Sequence, residues 1–212
     1  MSKQENEASD HKLGTLYEIG LKHFQAREYR KCVDLWNGAL RFDSQNYRAL
    51  TFLALAHEQL GELDACKQCL EEAVQIAPDY PKAWNNLGNV HRKTGELFRA
   101  EECYRNAIEH SPGSADYRYN LAITFLDTLQ YQEAIREFLY YRRLRPNDDE
   151  VLVPMAGAYY QVANNEKALQ CLRVYLKARP ATQRFAQLRA QMRVIRTSLE
   201  DQGEPAPPGP AQ

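Results

Sequence analysis

The sequence has no long apolar run, whereas a helix that crosses a bilayer needs about 20 consecutive apolar residues. Its start, Met1-Ser2-Lys3-Gln4-Glu5-Asn6-Glu7, is polar and acidic and has none of the apolar core of a signal peptide. Membrane insertion is therefore not expected, and the expected location is the cytoplasm. An excess of one charge is also missing, since 27 Lys/Arg face 28 Asp/Glu for a net of −1. Proteins that bind nucleic acid need a basic excess to neutralise phosphates, so no nucleic-acid partner is expected. Cysteines are few and odd in number: Cys32, Cys66, Cys69, Cys103 and Cys171. That count points to reduced thiols. Cys66-x-x-Cys69 lacks the second pair that a zinc site would want, so no metal is expected.

Catalytic signatures are missing too. There is no GxSxG, phosphate loop or Rossmann glycine fingerprint. His57-Glu58 begins like a zinc-protease HExxH, but Gly61 stands where the second histidine must be. Nothing pairs a nucleophile with a base, so the chain is expected to be no enzyme and to need no cofactor.

What the sequence does have is a repeat. From Pro81 it runs Trp84-x-x-Leu87-Gly88-x-x-His91, then Ala100, Tyr104, Ala107 and Pro112. Moving back 34 residues gives Leu50, Leu53, Ala54, His57, Cys66, Leu70, Ala73 and Pro78. Another step back gives Leu16, Ile19, Gly20, His23, Cys32, Trp36, Ala39 and Ser44. Moving forward gives Arg118, Leu121, Ala122, Phe125, Ala134, Phe138, Tyr141 and Pro146. The last step gives Leu152, Met155, Ala156, Tyr159, Ala168, Leu172, Tyr175 and Pro180. The phase holds without insertion through five units, 13–46, 47–80, 81–114, 115–148 and 149–182.

Apolar and small residues recur at three- and four-residue spacing within each unit, which marks helices. Gly61-Glu62 and Gly95-Glu96 separate two helices, and Pro78, Pro112 and Pro146 end the second. Gly20, Ala54, Gly88, Ala122 and Ala156 allow close helix approach, with Ala39, Ala73 and Ala107 expected opposite them. Tyr141 and Tyr175 replace that alanine later, so packing must differ there. Pro154 removes the N–H that would bond to Glu150, so a late helix start or a kink is expected. Beyond the repeats, Phe185, Leu188, Met192, Ile195 and Leu199 form one apolar helical face, read as a capping helix over 183–201. Residues 1–12 and the Pro-rich 202–212 are expected to be disordered, with Ser9 or Asp10 available to cap the first helix.

The pattern resembles the tetratricopeptide repeat (TPR), W-x-x-L-G-x-x-Y followed by A, F, A and P. The resemblance implies an all-α, right-handed superhelical solenoid of five helix pairs. It also implies a scaffold or adaptor for a protein or peptide partner, with a monomer favoured. In that family the first helix of each pair lines the concave side. On that resemblance the expected partner-binding residues are Tyr17, Leu21, Phe24, Phe52, Leu55, Lys82, Asn85, Asn86, Asn89, Arg92, Lys93, Tyr119, Asn120 and Ile123. The first five suggest an exposed apolar patch, and the centre is polar and basic.

Asn86 and Asn120 are similar to the asparagine ladder of O-GlcNAc transferases, which Glu18, Phe52 and Pro154 interrupt. The carboxylate clamp of chaperone-binding relatives is not reproduced, because Asn85, Glu150 and Pro154 fill three of its places. A pentatricopeptide-type RNA reader and a targeting subunit of an enzyme complex are the rival readings. His23, His57 and His91 recur at the repeat period and so stand ~8–10 Å apart, one helix spacing. Ligands of one ion lie about 2 Å from it, so these histidines are read as packing residues.

Overall fold

The computed structural model describes residues 15–180 and 184–201. Residues 1–12 and 202–212 lie outside the described residues, as do Ser9 and Asp10. Among the described residues the secondary structure is helical, with no strand. The chain forms two compact units, divided after Pro112.

The N-terminal unit holds three helix hairpins. They are α1 (helical over 15–25) with α2 (Tyr29–Phe42), α3 (Tyr47–Gln59) with α4 (Leu63–Ile76), and α5 (Pro81–Lys93) with α6 (Leu97–His110). Asn46 starts α3, its side chain accepting from the Ala49 N–H at 3.0 Å and from the Tyr17 hydroxyl at 3.1 Å. One residue thus satisfies an orphan donor of the helix and ties α1 to it. Pro81 opens α5, where its missing N–H costs nothing. The Trp84 indole donates to the Pro78 carbonyl at 2.7 Å and fixes the preceding turn.

The C-terminal unit holds α7 (Ala115–Asp127) with α8 (Tyr131–Leu144), α9 (Leu152–Gln161) with α10 (Asn165–Ala178), and α11 (Phe185–Asp201). Pro154 has the expected effect: Asp149–Val151 form a 3-10 turn, and the α-helix begins only at Leu152. Pro154 then sits in the first turn, where N–H groups have no intrahelical acceptor. Of the five apolar residues of α11, Leu188, Ile195 and Leu199 are buried and Phe185 and Met192 half-buried, and α11 packs on α10.

Each hairpin bends through the same backbone device. Residues 27, 61, 95, 129 and 163 all take positive φ, at 59°, 77°, 81°, 60° and 59°. The next residue donates its N–H back over the turn, as Glu62 does to His57 O at 2.9 Å and Gln130 to Phe125 O at 2.8 Å. This is the Schellman closure of a helix end, which favours glycine. Gly61 and Gly95 comply, but Arg27, Leu129 and Ala163 do not. The left-handed region costs a non-glycine residue about 1–2 kcal/mol, partly offset by the ~0.5–1 kcal/mol of chain entropy that glycine loses. Leu129 is largely exposed, so little packing would be lost on replacing it. Leu129→Gly is expected to stabilise by ~0.5–1 kcal/mol, read as a higher urea midpoint at constant slope.

The small residues of the first helices have different neighbours from those expected. A Cβ on Gly20 would lie 2.3 Å from Trp36 Cζ2, and one on Gly88 would lie 2.7 Å from Tyr104 Cε1. The partners are therefore large aromatic rings and not Ala39 and Ala107, which are buried elsewhere along their helices. The later tyrosines do change the packing. Tyr141 and Tyr175 are buried, and their hydroxyls reach out of the helix to Asp148 and, at 3.3 Å, to Glu150.

Candidate functional site

In the N-terminal unit, the candidate face is built from the first helices α1, α3 and α5. Its apolar part is mostly core. Tyr17, Phe24 and Phe52 are half-buried. Phe52 stacks on Trp36 with centroids 5.2 Å apart and planes at 19°, Tyr17 lies 5.0 Å from Trp36, and Phe24 meets Tyr29 edge-on at 5.3 Å. Burial pushes the Tyr17 hydroxyl up to about 12, so it stays a donor to Asn46. Leu55 is half-buried, and Leu21 is the exposed member. The expected apolar patch is thus reduced to its rim, because aromatic stacking between helices absorbs the rings.

The polar part is carried by α5. Asn89 is set by the core beneath it: the Tyr104 hydroxyl donates to Asn89 Oδ1 at 2.7 Å. Tyr104 is fully buried, and Gly88 leaves room for its ring. With its oxygen occupied, Asn89 keeps Nδ2 without a partner among the described residues. Asn85 Nδ2 lies 3.5 Å from Asn86 Oδ1, which leaves Asn86 Nδ2 free in the same sense. Lys82 is exposed and has no partner among the described residues. Arg92 is half-buried, and Lys93 reaches Glu58 of α3 at 2.5 Å.

In the C-terminal unit, α7 carries the remaining candidates. Tyr119 packs near Phe138 and Tyr141, with centroids 6.1 and 5.5 Å away. Asn120 and Ile123 are half-buried, and the Asn120 carbonyl accepts from Thr124.

The repeated histidines do more than pack. His23 Nδ1 lies 2.6 Å from Glu28, His57 Nδ1 2.7 Å from Glu62, and His91 Nδ1 3.4 Å from Glu96. Each glutamate precedes the first residue of a second helix, and the hydrogen-bonded pairs at His23 and His57 latch their turns. Basic residues of neighbouring hairpins join in: Arg30 meets Glu62 at 3.0 Å and Lys67 meets Glu96 at 2.9 Å. The sequence held this signal, since a glutamate follows each histidine by five residues, while Phe125 and Tyr159 are followed by Gln130 and Asn164.

The bonds from Lys67 and Thr94, with the His91 ring nearby, hold the Glu96 carboxyl down at about 2, against an ordinary 4.5. A depressed carboxyl contributes stability above its unfolded value and loses it as pH falls through its folded one. Glu96→Gln should therefore be less stable than the wild type at pH 7. The gap between their thermal midpoints should close as pH falls from about 4.5 towards 2.

The cysteines are unsuited to reaction at neutral pH. Burial pushes the Cys66 and Cys103 thiols up to about 12 and Cys69 to about 11. The thiolate is the nucleophile and metal ligand, so these groups stay inert. Among the described residues no helix is long and apolar enough to cross a membrane.

A run of helix hairpins with a fixed repeat defines the class of all-α helical-repeat proteins. The chain belongs to the tetratricopeptide-repeat family, whose family model, "Tetratricopeptide repeat", matches residues 41–186. No curated protein matches the sequence. Among solved structures, MamA is similar at 18% identity and TM-score 0.70, over 77% of this chain and 90% of that chain. YrrB, a TPR protein with an unusual peptide-binding site, is similar at 16% identity and TM-score 0.71, over 82% of this chain and 90% of that chain. A chain in the structure of Naa15/Naa10 bound to HypK-THB is similar at 18% identity and TM-score 0.65, over 90% of this chain and 29% of that one. At these identities the likeness concerns the fold.

Proposed function

We propose that this protein is a non-catalytic scaffold that holds a segment of a partner protein on the first-helix face. The 34-residue register divides it into the five units given above, with α11 as the end cap. The observation that carries the reading is the anchored Asn89: its oxygen is taken by a buried tyrosine, so Nδ2 is held ready to donate. Pre-ordering of this kind lowers the entropy lost on binding. Asn86 supplies a second amide and Lys82 an uncompensated cation.

A bound backbone offers carbonyls to such amides and acidic side chains to such cations. The proposed ligand is therefore an extended or helical peptide with an acidic or backbone-exposed stretch over α5. Leu21 and Leu55 would meet apolar side chains, and Tyr119, Asn120 and Ile123 occupy the matching register positions on α7. The peptide-binding site of YrrB supports the reading by likeness of fold.

The test is co-purification from cells followed by mass spectrometry, with wild type beside Asn89→Ala/Arg92→Glu. The double variant should keep its circular dichroism and lose most of the captured partner. Undiminished capture with an intact fold would reject the face, and salt-dependent retention of RNA would reject a protein ligand.

A further inference from the structure

We propose a second docking site on the C-terminal unit, in the groove between α8 and α10, for an acidic, amphipathic segment of a partner protein. The groove has a volume of about 310 Å³, room for one or two large side chains. Its floor is apolar and buried, formed by Leu152, Met155 and Tyr159 of α9. Its rims are apolar and open: Leu139 is 44% exposed and Val174 42%.

The repeat shows that these rims are unusual. In the second and third units the place of Leu139 is held by Glu71 and Arg105, and that of Val174 by Glu72 and Asn106. Those are ordinary residues for a solvated helix surface. The exchange runs the other way at Arg142, whose equivalents in the same units are Val74 and Ile108. Apolar and charged positions have thus been swapped around this groove. Exposed apolar surface rimmed by charge is the mark of an interaction site.

The charge at the groove selects the ligand. Arg142 and Lys167 both line it, and neither has a carboxylate partner among the described residues. Lys167 rests near the Tyr159 ring, 5.5 Å from its centroid. Some other cations of the unit do have carboxylate partners, as Arg136 has Glu133 at 2.7 Å, Arg145 Asp116 at 3.0 Å and Arg179 Glu150 at 2.9 Å. Two uncompensated cations beside an apolar cleft fit a segment that inserts one large apolar side chain and lays carboxylates on either side. This site does not depend on the polar face of α5, which lies in the other unit.

Selection of a random 12-residue peptide library on the full chain tests it. Enriched peptides should combine Leu, Met or Phe with Asp or Glu. Their affinity should fall about tenfold for Arg142→Glu/Lys167→Glu, the loss of two exposed ion pairs. It should fall as far for Val174→Glu and stay unchanged for Asn89→Ala/Arg92→Glu. Arg142, Asn89 and Arg92 are half-buried and Asn89 accepts from Tyr104, so an unchanged circular dichroism spectrum is the required check that each variant keeps the fold. The proposal is overturned if no enriched peptide responds to the groove substitutions, or if those that respond lack acidic residues. It is also overturned if sedimentation shows self-association that Val174→Glu abolishes, since a second copy would then be the occupant.

Discussion

Trp36→Ala is expected to lower the stability of the protein by about 3–5 kcal/mol, the usual cost of truncating a fully buried aromatic residue. Trp36 is 2% exposed and packs against two other helices. Its ring lies against Gly20 of α1, stacks on Phe52 of α3 and meets Tyr17. Removing it opens a cavity that rigid helices cannot close. A whole domain is stable by only about 5–15 kcal/mol, so the loss is a large share. Urea titration should show a much lower midpoint, and amide exchange should quicken first in α1, α2 and α3. A midpoint within error of the wild type would show that the first hairpin is not held by this cluster.

Gly88→Ala should also destabilise, by up to about 2 kcal/mol, even though alanine is the better helix former. Propensity favours the variant by about 1 kcal/mol. Against it, the new Cβ would sit 2.7, 2.9 and 3.0 Å from three atoms of the buried Tyr104 ring. Overpacking of that kind costs about 1–3 kcal/mol, more than the propensity gain. A displaced ring also carries the hydroxyl away from Asn89, so partner binding should weaken along with stability.

The repeat supplies its own rescue. Where the first helix has Ala54, the second helix has Leu70 in the matching place, and both lie in one core cluster. Adding Tyr104→Leu to Gly88→Ala should therefore recover part of the lost stability. Tyr104→Leu alone should weaken binding, because nothing then orders Asn89. A double-mutant cycle with purely additive effects would contradict this size matching.

Much of the fold could be read from the sequence because it repeats. Helices begin at Tyr47, Pro81 and Ala115, where turn chemistry and periodicity coincide, and Pro154 delays α9 by the length of a 3-10 turn. Gly61 and Gly95 announced their turns, but Arg27, Leu129 and Ala163 did not, because the hairpin closure overrides local preference at those three places. Small residues showed that helices approach closely, yet they did not reveal what approaches. The match of Gly20 to Trp36 and of Gly88 to Tyr104 depends on how two helices cross, and periodicity on either helix is blind to that.

The site was legible in part for the same reason. The family resemblance puts Tyr17, Phe24 and Phe52 on the first-helix face, but whether a ring lies outward or folds onto its neighbour is a tertiary matter. Stacking absorbs them here. Asn89 could be picked out as a polar residue on that face. Its fixed orientation needs the Tyr104 hydroxyl, which lies on another helix. The repeat period reads the histidines as packing residues, whereas their approach to Glu28, Glu62 and Glu96 becomes plain only when the turn brings them together.

A partner segment is proposed to lie along the first-helix face of α5. The most direct test places a photo-crosslinking residue at Lys82, exposed on α5, and in a second variant at Glu72, exposed on α4. Irradiation in cells should join the partner protein to position 82 and not to position 72. Crosslinks from position 72 with none from position 82 would contradict the account.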